Sequence, residues 1–293
     1  LGIRVATGTA IAKVKGGKRV TGVCICKQAG EGAVIEEIAC DAVAMSGGWS
    51  PVVHLWSHCG GKLVWDARHG HFKPDPEKAP TGADGRGFVL TAGAASGRLS
   101  LEHVLGDADQ AGELAAADLG FKVTHVDCPI GETPAEAPME PVWLMPQGAS
   151  IELRSKAWLD YQNDVKVSDV QLAAQEGFES VEHTKRYTTL GMATDQGKLS
   201  NINGLAILSQ SLNADIPNVG TTTFRPPYTP ISMASIAGVA RDGLFQPLRK
   251  TPISDWSNDN GADNEPVGQW RRPFAYVRDR KSTRLNSSHI QKS

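Results

Sequence analysis

The chain has 293 residues, 40% of them hydrophobic, so it can bury a sizeable core. At about 150 residues per domain the length suggests two domains. With 30 basic and 32 acidic side chains the net charge is −2, which gives no basic excess for nucleic acid or an acidic membrane surface. Collagenous, membrane-spanning and disordered classes are excluded, since no stretch approaches the ~18 apolar residues of a spanning helix.

Leu1 opens the chain with no charged-then-apolar leader behind it, so we expect a trimmed or partial chain. The cysteines Cys24, Cys26, Cys40, Cys59 and Cys128 are odd in number and sparse. That suits a reducing cytoplasm better than a secreted disulfide framework. Residues 10–15 and 20–26 alternate around Gly16-Gly17, which predicts a hairpin. Cys24 and Cys26 share one face of its second strand and read as plain core or surface cysteines. Cys40–Met45 is a short apolar run stopped by Ser46-Gly47-Gly48, which predicts a buried strand.

Residues 50–85 lack a period. His54, His58, Cys59, His69 and His71 lie among them, but zinc sites usually show two paired ligand motifs. His69-Gly70-His71 is too tight for the second pair, so the expectation is a polar loop and no metal. A strand over 87–92 is then expected to enter a small-residue turn, Gly93-Ala94-Ala95, ahead of an Ala-rich helix over 101–119. Such a turn lets a pyrophosphate or ring approach the backbone and a helix N-terminus. It is equally an ordinary strand-to-helix turn.

Prolines 129, 134, 138, 141 and 146 mark 128–149 as a linker. Ser168 and Gln171 have capping-box spacing. Val170, Ala173, Ala174, Gly177 and Val181 form a helical stripe that Gly177 should split into two helices. A third helix fits Asn201–Leu212. The segment Lys185–Lys198 is dense in hydroxyls, charges and glycine. Composition alone favours a helix C-terminus capped at Gly191 over a phosphate or flavin contact. No GxSxG, HExxH, Walker loop, CxxC pair or GxGxxG occurs. Residues 281–293 are polar and aperiodic, read as a non-native tail, and are set aside.

Several strings carry a family signature. They are Cys40–Leu63, Asp160–Val165, Glu176–Lys198, Val219–Pro230 and Pro266–Pro273. Together they resemble the alpha subunits of heterotetrameric sarcosine oxidases, in a fragment truncated at both ends. The resemblance implies an α/β plus α fold in three parts. Residues 1–127 would be the back half of a dinucleotide-binding, disulfide-reductase-like domain. Residues 150–218 would be a small helical domain without iron–sulfur cysteines, since no cysteine follows Cys128 and a cluster needs about four thiolates. Residues 219–280 would open an aminomethyltransferase-like folate domain.

It also implies chemistry. The family oxidatively demethylates sarcosine to glycine with FAD on the beta subunit. Electrons pass to FMN at the alpha–beta interface and on to oxygen, and the one-carbon unit passes to tetrahydrofolate. NAD is carried by the alpha subunit. Gly93, Ala94, Leu99 and Leu101 are the implied NAD contacts. Thr188, Thr189 and Lys198 are the implied contacts at the flavin interface. The folate residues are expected mostly beyond the fragment. No catalytic residue and no metal is assigned. The implied partners are beta, gamma and delta subunits, in a cytoplasmic enzyme with a small-molecule substrate and neither nucleic acid nor membrane. Alternatives are the alpha subunit of a methylated-amine dehydrogenase such as N-methylglutamate dehydrogenase, a folate-dependent aminomethyltransferase, or a non-catalytic scaffold.

Overall fold

The computed structural model describes residues 2–125 and 138–276. The expected tail at 281–293 and most of the proline-rich stretch before 138 lie outside the described residues. The chain divides into two compact units, Leu1–Thr229 and Pro230–Ser293. The expected boundaries at 127, 149 and 218 cut more finely than this division.

The first unit opens with an antiparallel meander. β1 (Thr9–Gly16) and β2 (Val20–Lys27) form the hairpin expected from their alternation, and β3 (Val34–Ile38) pairs with the far edge of β2. Ala10, Val23, Cys24 and Cys26 are buried, while β3 buries none of its residues. Its charged pair faces outward: Glu37 meets Lys15 at 2.7 Å and Glu36 meets Arg4 at 2.6 Å. The third strand was expected at Cys40–Met45. That run is not a strand and is mostly exposed. Apolarity pointed to the wrong segment because β3 joins the sheet edge through backbone pairing and surface charges, not burial.

The aperiodic stretch 50–85 holds more order than expected. α1 (His54–His58) is followed by the hairpin β4 (Leu63–Asp66) and β5 (His71–Pro74). Trp65 and Phe72 face each other across it with ring centroids 5.0 Å apart. Strands of four residues are too short to show a period. Residues 88–92, by contrast, form no strand; Gly87 makes only an isolated bridge to Thr81. Phe88 and Leu90 are exposed, and an unpaired segment has no ladder to join. α2 (Leu101–Asp118) runs where the Ala-rich pattern placed it.

The core lies after the linker. α3 (Ile151–Arg154) leads to the short hairpin of β6 (Trp158–Asp160) and β7 (Val165–Lys166). α4 (Val167–Gln175), α5 (Val181–Thr188), α6 (Asn201–Leu212) and α7 (Ile216–Val219) follow, with α4 packed on α5 and α6. Val165, Val167, Val170, Val181, Leu190, Leu205, Ile207, Leu208 and Val219 form one buried cluster with Phe72 and Leu159. Gly177 separates α4 from α5 as expected. The cap of α4 differs from the Ser168–Gln171 expectation: Asp169 accepts from the Lys166 N–H at 2.8 Å, so the helix starts two residues earlier. The second unit holds α8 (Met233–Ala237), β8 (Arg249–Lys250), α9 (Ser254–Asp259) and the hairpin β9 (Ala262–Val267) and β10 (Trp270–Tyr276). β10 also pairs in parallel with β8.

Candidate functional site

Two places carry the residues singled out in the sequence. At the first, the chain enters one turn of 3-10 helix at Gly93–Ser96 and leaves through Gly97. Gly93 has φ +59, and a Cβ there would press on Val104 of α2 at 3.2 Å. Its N–H donates to Asp107 at 2.8 Å, and the Ser96 hydroxyl donates to the same carboxylate. The turn is thereby stapled to α2, and the amide best placed for a phosphate already serves a fixed negative charge. Ala94 is exposed, Leu99 half-buried and Leu101 exposed. Outward the turn offers the exposed Ala94, followed by the exposed guanidinium of Arg98.

Behind the turn lies a polar knot that the sequence reading left as loop. Asp66 accepts from Lys73 at 2.8 Å and from His69 at 3.1 Å. Burial alone would raise its pKa, but these bonds hold the carboxyl well below its ordinary range. His71 is fully buried, with Nδ1 3.2 Å from the Trp49 carbonyl, and burial lowers its pKa. Asp66, His69 and His71 are close enough to share a metal ion, though Lys73 already supplies a cation to Asp66. Asp109, Glu113 and His125 form a second such group. The five His and Cys residues weighed as one cluster are not together: His54 and His58 lie elsewhere.

At the second place, α5 ends with Lys185 and Arg186 in its last turn, as expected, but its left-handed cap is Thr189 (φ +65), not Gly191. The Gly191 N–H donates to Asp160 at 2.8 Å. Asp160 is almost fully buried and also accepts from the backbone of Gln162 and Asn163 and from the Asn163 side chain. These donors hold its pKa low against the opposing effect of burial. Gly191 (φ +67) and Gly197 (φ +75) lie directly on the Asn201 carboxamide, where any Cβ would collide. The loop's glycines therefore serve its own closure, not the helix cap expected of Gly191.

The outer side of this loop grips the chain at 224–228. Gln196 donates to the Pro227 carbonyl at 3.0 Å and accepts from the Arg225 N–H at 3.0 Å. Lys198 donates to the carbonyls of Tyr228 (2.7 Å) and Asp195 (3.1 Å), and its ammonium lies 4.0 Å from the Tyr228 ring centroid. His54 stacks on that ring at 4.2 Å, and His58 reaches the Phe224 carbonyl at 3.0 Å. Burial, then His58 and Lys198, lower the His54 pKa; burial, then Asp195, raises that of Tyr228. Thr188 donates to the Thr184 carbonyl and Thr189 to that of Thr188. Both hydroxyl protons are thus engaged locally, and Lys198 has one N–H left to offer. That His54, Gln196, Asn201 and Tyr228 come together had no sequence signal, because they meet only through the fold.

Residues 154–239 match the family model of the sarcosine oxidase A3 domain. The sarcosine oxidase subunit alpha of Rhizobium meliloti (strain 1021) is 37% identical over 286 residues, which is 96% of this chain and 27% of that protein. The chain is a relative of sarcosine oxidase alpha subunits. The same-named subunits of Corynebacterium sp. strains P-1 and U-96 are 36% and 39% identical, over 95% and 83% of this chain. The chain spans about a quarter of the length of these alpha subunits (24–28%). The resemblance read from the residues stands. Among solved structures, L-proline dehydrogenase from P. horikoshii shares the fold over 76% of this chain and 43% of its own, with a TM-score of 0.55 at 18% identity. No helix among the described residues is long and apolar enough to cross a membrane.

Proposed function

We propose that the chain is part of the alpha subunit of a sarcosine oxidase, an oxidoreductase acting on CH–NH groups within a multi-subunit complex. The observation that carries this is identity of 37% sustained across 286 residues with an alpha subunit of that name. In this reading sarcosine is demethylated to glycine, electrons pass through flavin to oxygen, and the one-carbon unit is handed to tetrahydrofolate. Beta, gamma and delta subunits would complete the enzyme, in the cytoplasm. FAD would lie on a partner, and the folate site largely outside these residues.

NAD fits the first place in a restricted way. Ala94, Leu99 and Leu101 would support a base or ribose beside Gly93, while Asp107 turns phosphate away from that amide. The outer side of the loop 188–198, where Thr189, Thr194 and Lys198 are exposed, is our candidate for the FMN interface. Flavin, when bound, supplies the electron-accepting chemistry. The chain's own contribution would be the ammonium of Lys198, aimed by Tyr228 and still holding one proton for a phosphate oxygen. Thr188 and Thr189, whose hydroxyl protons go to backbone carbonyls, would accept from a flavin ring N–H and leave the phosphate to Lys198.

The test uses the assembled complex containing this chain. Sarcosine-dependent peroxide release and 5,10-methylenetetrahydrofolate formation are expected; turnover of N-methylglutamate in place of sarcosine would overturn the substrate assignment. Ala94→Trp should lower NAD content several-fold while FMN content stays constant. A paired Thr189→Ala, Lys198→Ala variant should lower FMN content while NAD stays constant. Unchanged cofactor content in either would refute that site alone.

A further inference from the structure

Away from both places, α3, α4 and the end of α6 border an open cleft of about 570 Å³. That is within the ~300–1,000 Å³ range of small-molecule sites. Its polar lining comes chiefly from Arg154, Ser168, Gln171 and Gln175, and no acidic side chain lines it. The Arg154 Nε is buried and has no hydrogen-bond partner. Among the described residues no ion pair or side-chain hydrogen bond engages Arg154, Ser168, Gln171 or Gln175. Asp169, in the same turn as Ser168, directs its carboxylate to the Lys166 amide. Ile151 and Leu172 form apolar walls.

A buried guanidinium N–H without a partner is costly to leave unpaired. Native proteins usually pair such a group. Arginine's planar fork matches a carboxylate or phosphate with two parallel bonds. Hydroxyl and carboxamide donors beside it can hold the remaining oxygens. We propose that this cleft binds a small molecule with an oxyanionic head and an apolar body, the head held by Arg154 and the body resting on Ile151 and Leu172. The proposal does not depend on the NAD or flavin assignments, because none of those residues lines the cleft.

Titration of the full chain with inorganic phosphate and, separately, with hexanoate at constant ionic strength tests it, by calorimetry and by the Arg154 Nε–H resonance. Saturable binding of either probe, weakened at least tenfold by Arg154→Gln, is expected. The probe that binds tells a phosphate head from a carboxylate head. Gln175→Glu, on the exposed rim, brings a competing carboxylate to Arg154 and should weaken binding similarly. It keeps the test decisive if Arg154→Gln does not fold. Absence of saturable binding by both probes, or binding unchanged in the folded variants, overturns the proposal.

Discussion

Two helices of the first unit are held in opposite ways. α6 has 12 residues and buries seven of them, Asn201 and Gly204–Ser209. α2 has 18 residues and buries none. α6 is fixed by packing, since its apolar residues continue all round and need neighbours on several sides. α2 draws on length and alanine content, with Asp107 as its tie to the Gly93 turn. Leu101 and Leu114 stand exposed along it, and Leu119 and Phe121 just past its end. The contrast is less complete in the regions around them. The buried apolar cluster after the linker takes in Phe72 of β5 as well, and the hairpin β4–β5 behind the turn is tied in addition by the Asp66 knot.

Truncation of matched leucines should show the largest difference. Leu205→Ala removes a side chain with no exposure, and such cavities cost about 2–5 kcal/mol. Leu114→Ala, at 53% exposure, should stay within about 0.5 kcal/mol. Equilibrium urea unfolding of both variants checks this. Equal losses would mean that α2 is as firmly packed as α6 and that the comparison fails.

The same contrast explains what could be read from the sequence. Asn201–Leu212 and the β1–β2 hairpin carry enough residues to display their own period, and both appear where expected. β4 and β5 have four residues each, with Asp66, His71 and Lys73 at positions whose partners lie across the hairpin. β3 carries Glu36 and Glu37 and owes its place to edge pairing, so an apolar run nearby took its place in the reading. At the loop 188–198, glycine and hydroxyl density drew attention to the segment but not to its internal contacts. The fold gives the reason: Gly191 and Gly197 close over Asn201, and Gln196 and Lys198 hold 224–228. Pairings between residues as distant as His54 and Tyr228 leave no local trace.

The polar side of the contrast should appear in acid. Asp66 has a folded pKa held below its ordinary 3.8. Its contribution is therefore complete above that value and is lost as pH falls through the folded pKa. Charge-assisted bonds of this kind are worth about 1.5–3 kcal/mol. Between neutral pH and about pH 2, amide exchange in β5 should accelerate before exchange in α6. Asp66→Asn should show the faster β5 exchange already at neutral pH and flatten its acid dependence. Simultaneous loss of protection in both elements would show that the unit opens as one.

Glycine replacement gives the smallest effect and the clearest reversal of sign. Gly112 in α2 has open space where a Cβ would go and no left-handed φ. Alanine there adds helix propensity and restricts the unfolded chain, which stabilises by about 0.5–1 kcal/mol. Gly204 in α6 is buried, and its Cβ would strike the side chain of Leu190, which is itself fully buried. A rigid neighbourhood cannot yield, and overpacking of this kind costs about 1–3 kcal/mol. Gly112→Ala should therefore raise the unfolding midpoint and Gly204→Ala should lower it, although both replace a helical glycine by the best helix former. If both variants moved the midpoint in the same direction, propensity alone would govern both helices. If Gly112→Ala were destabilising, α2 would have to be covered in solution by something that needs the glycine's small profile.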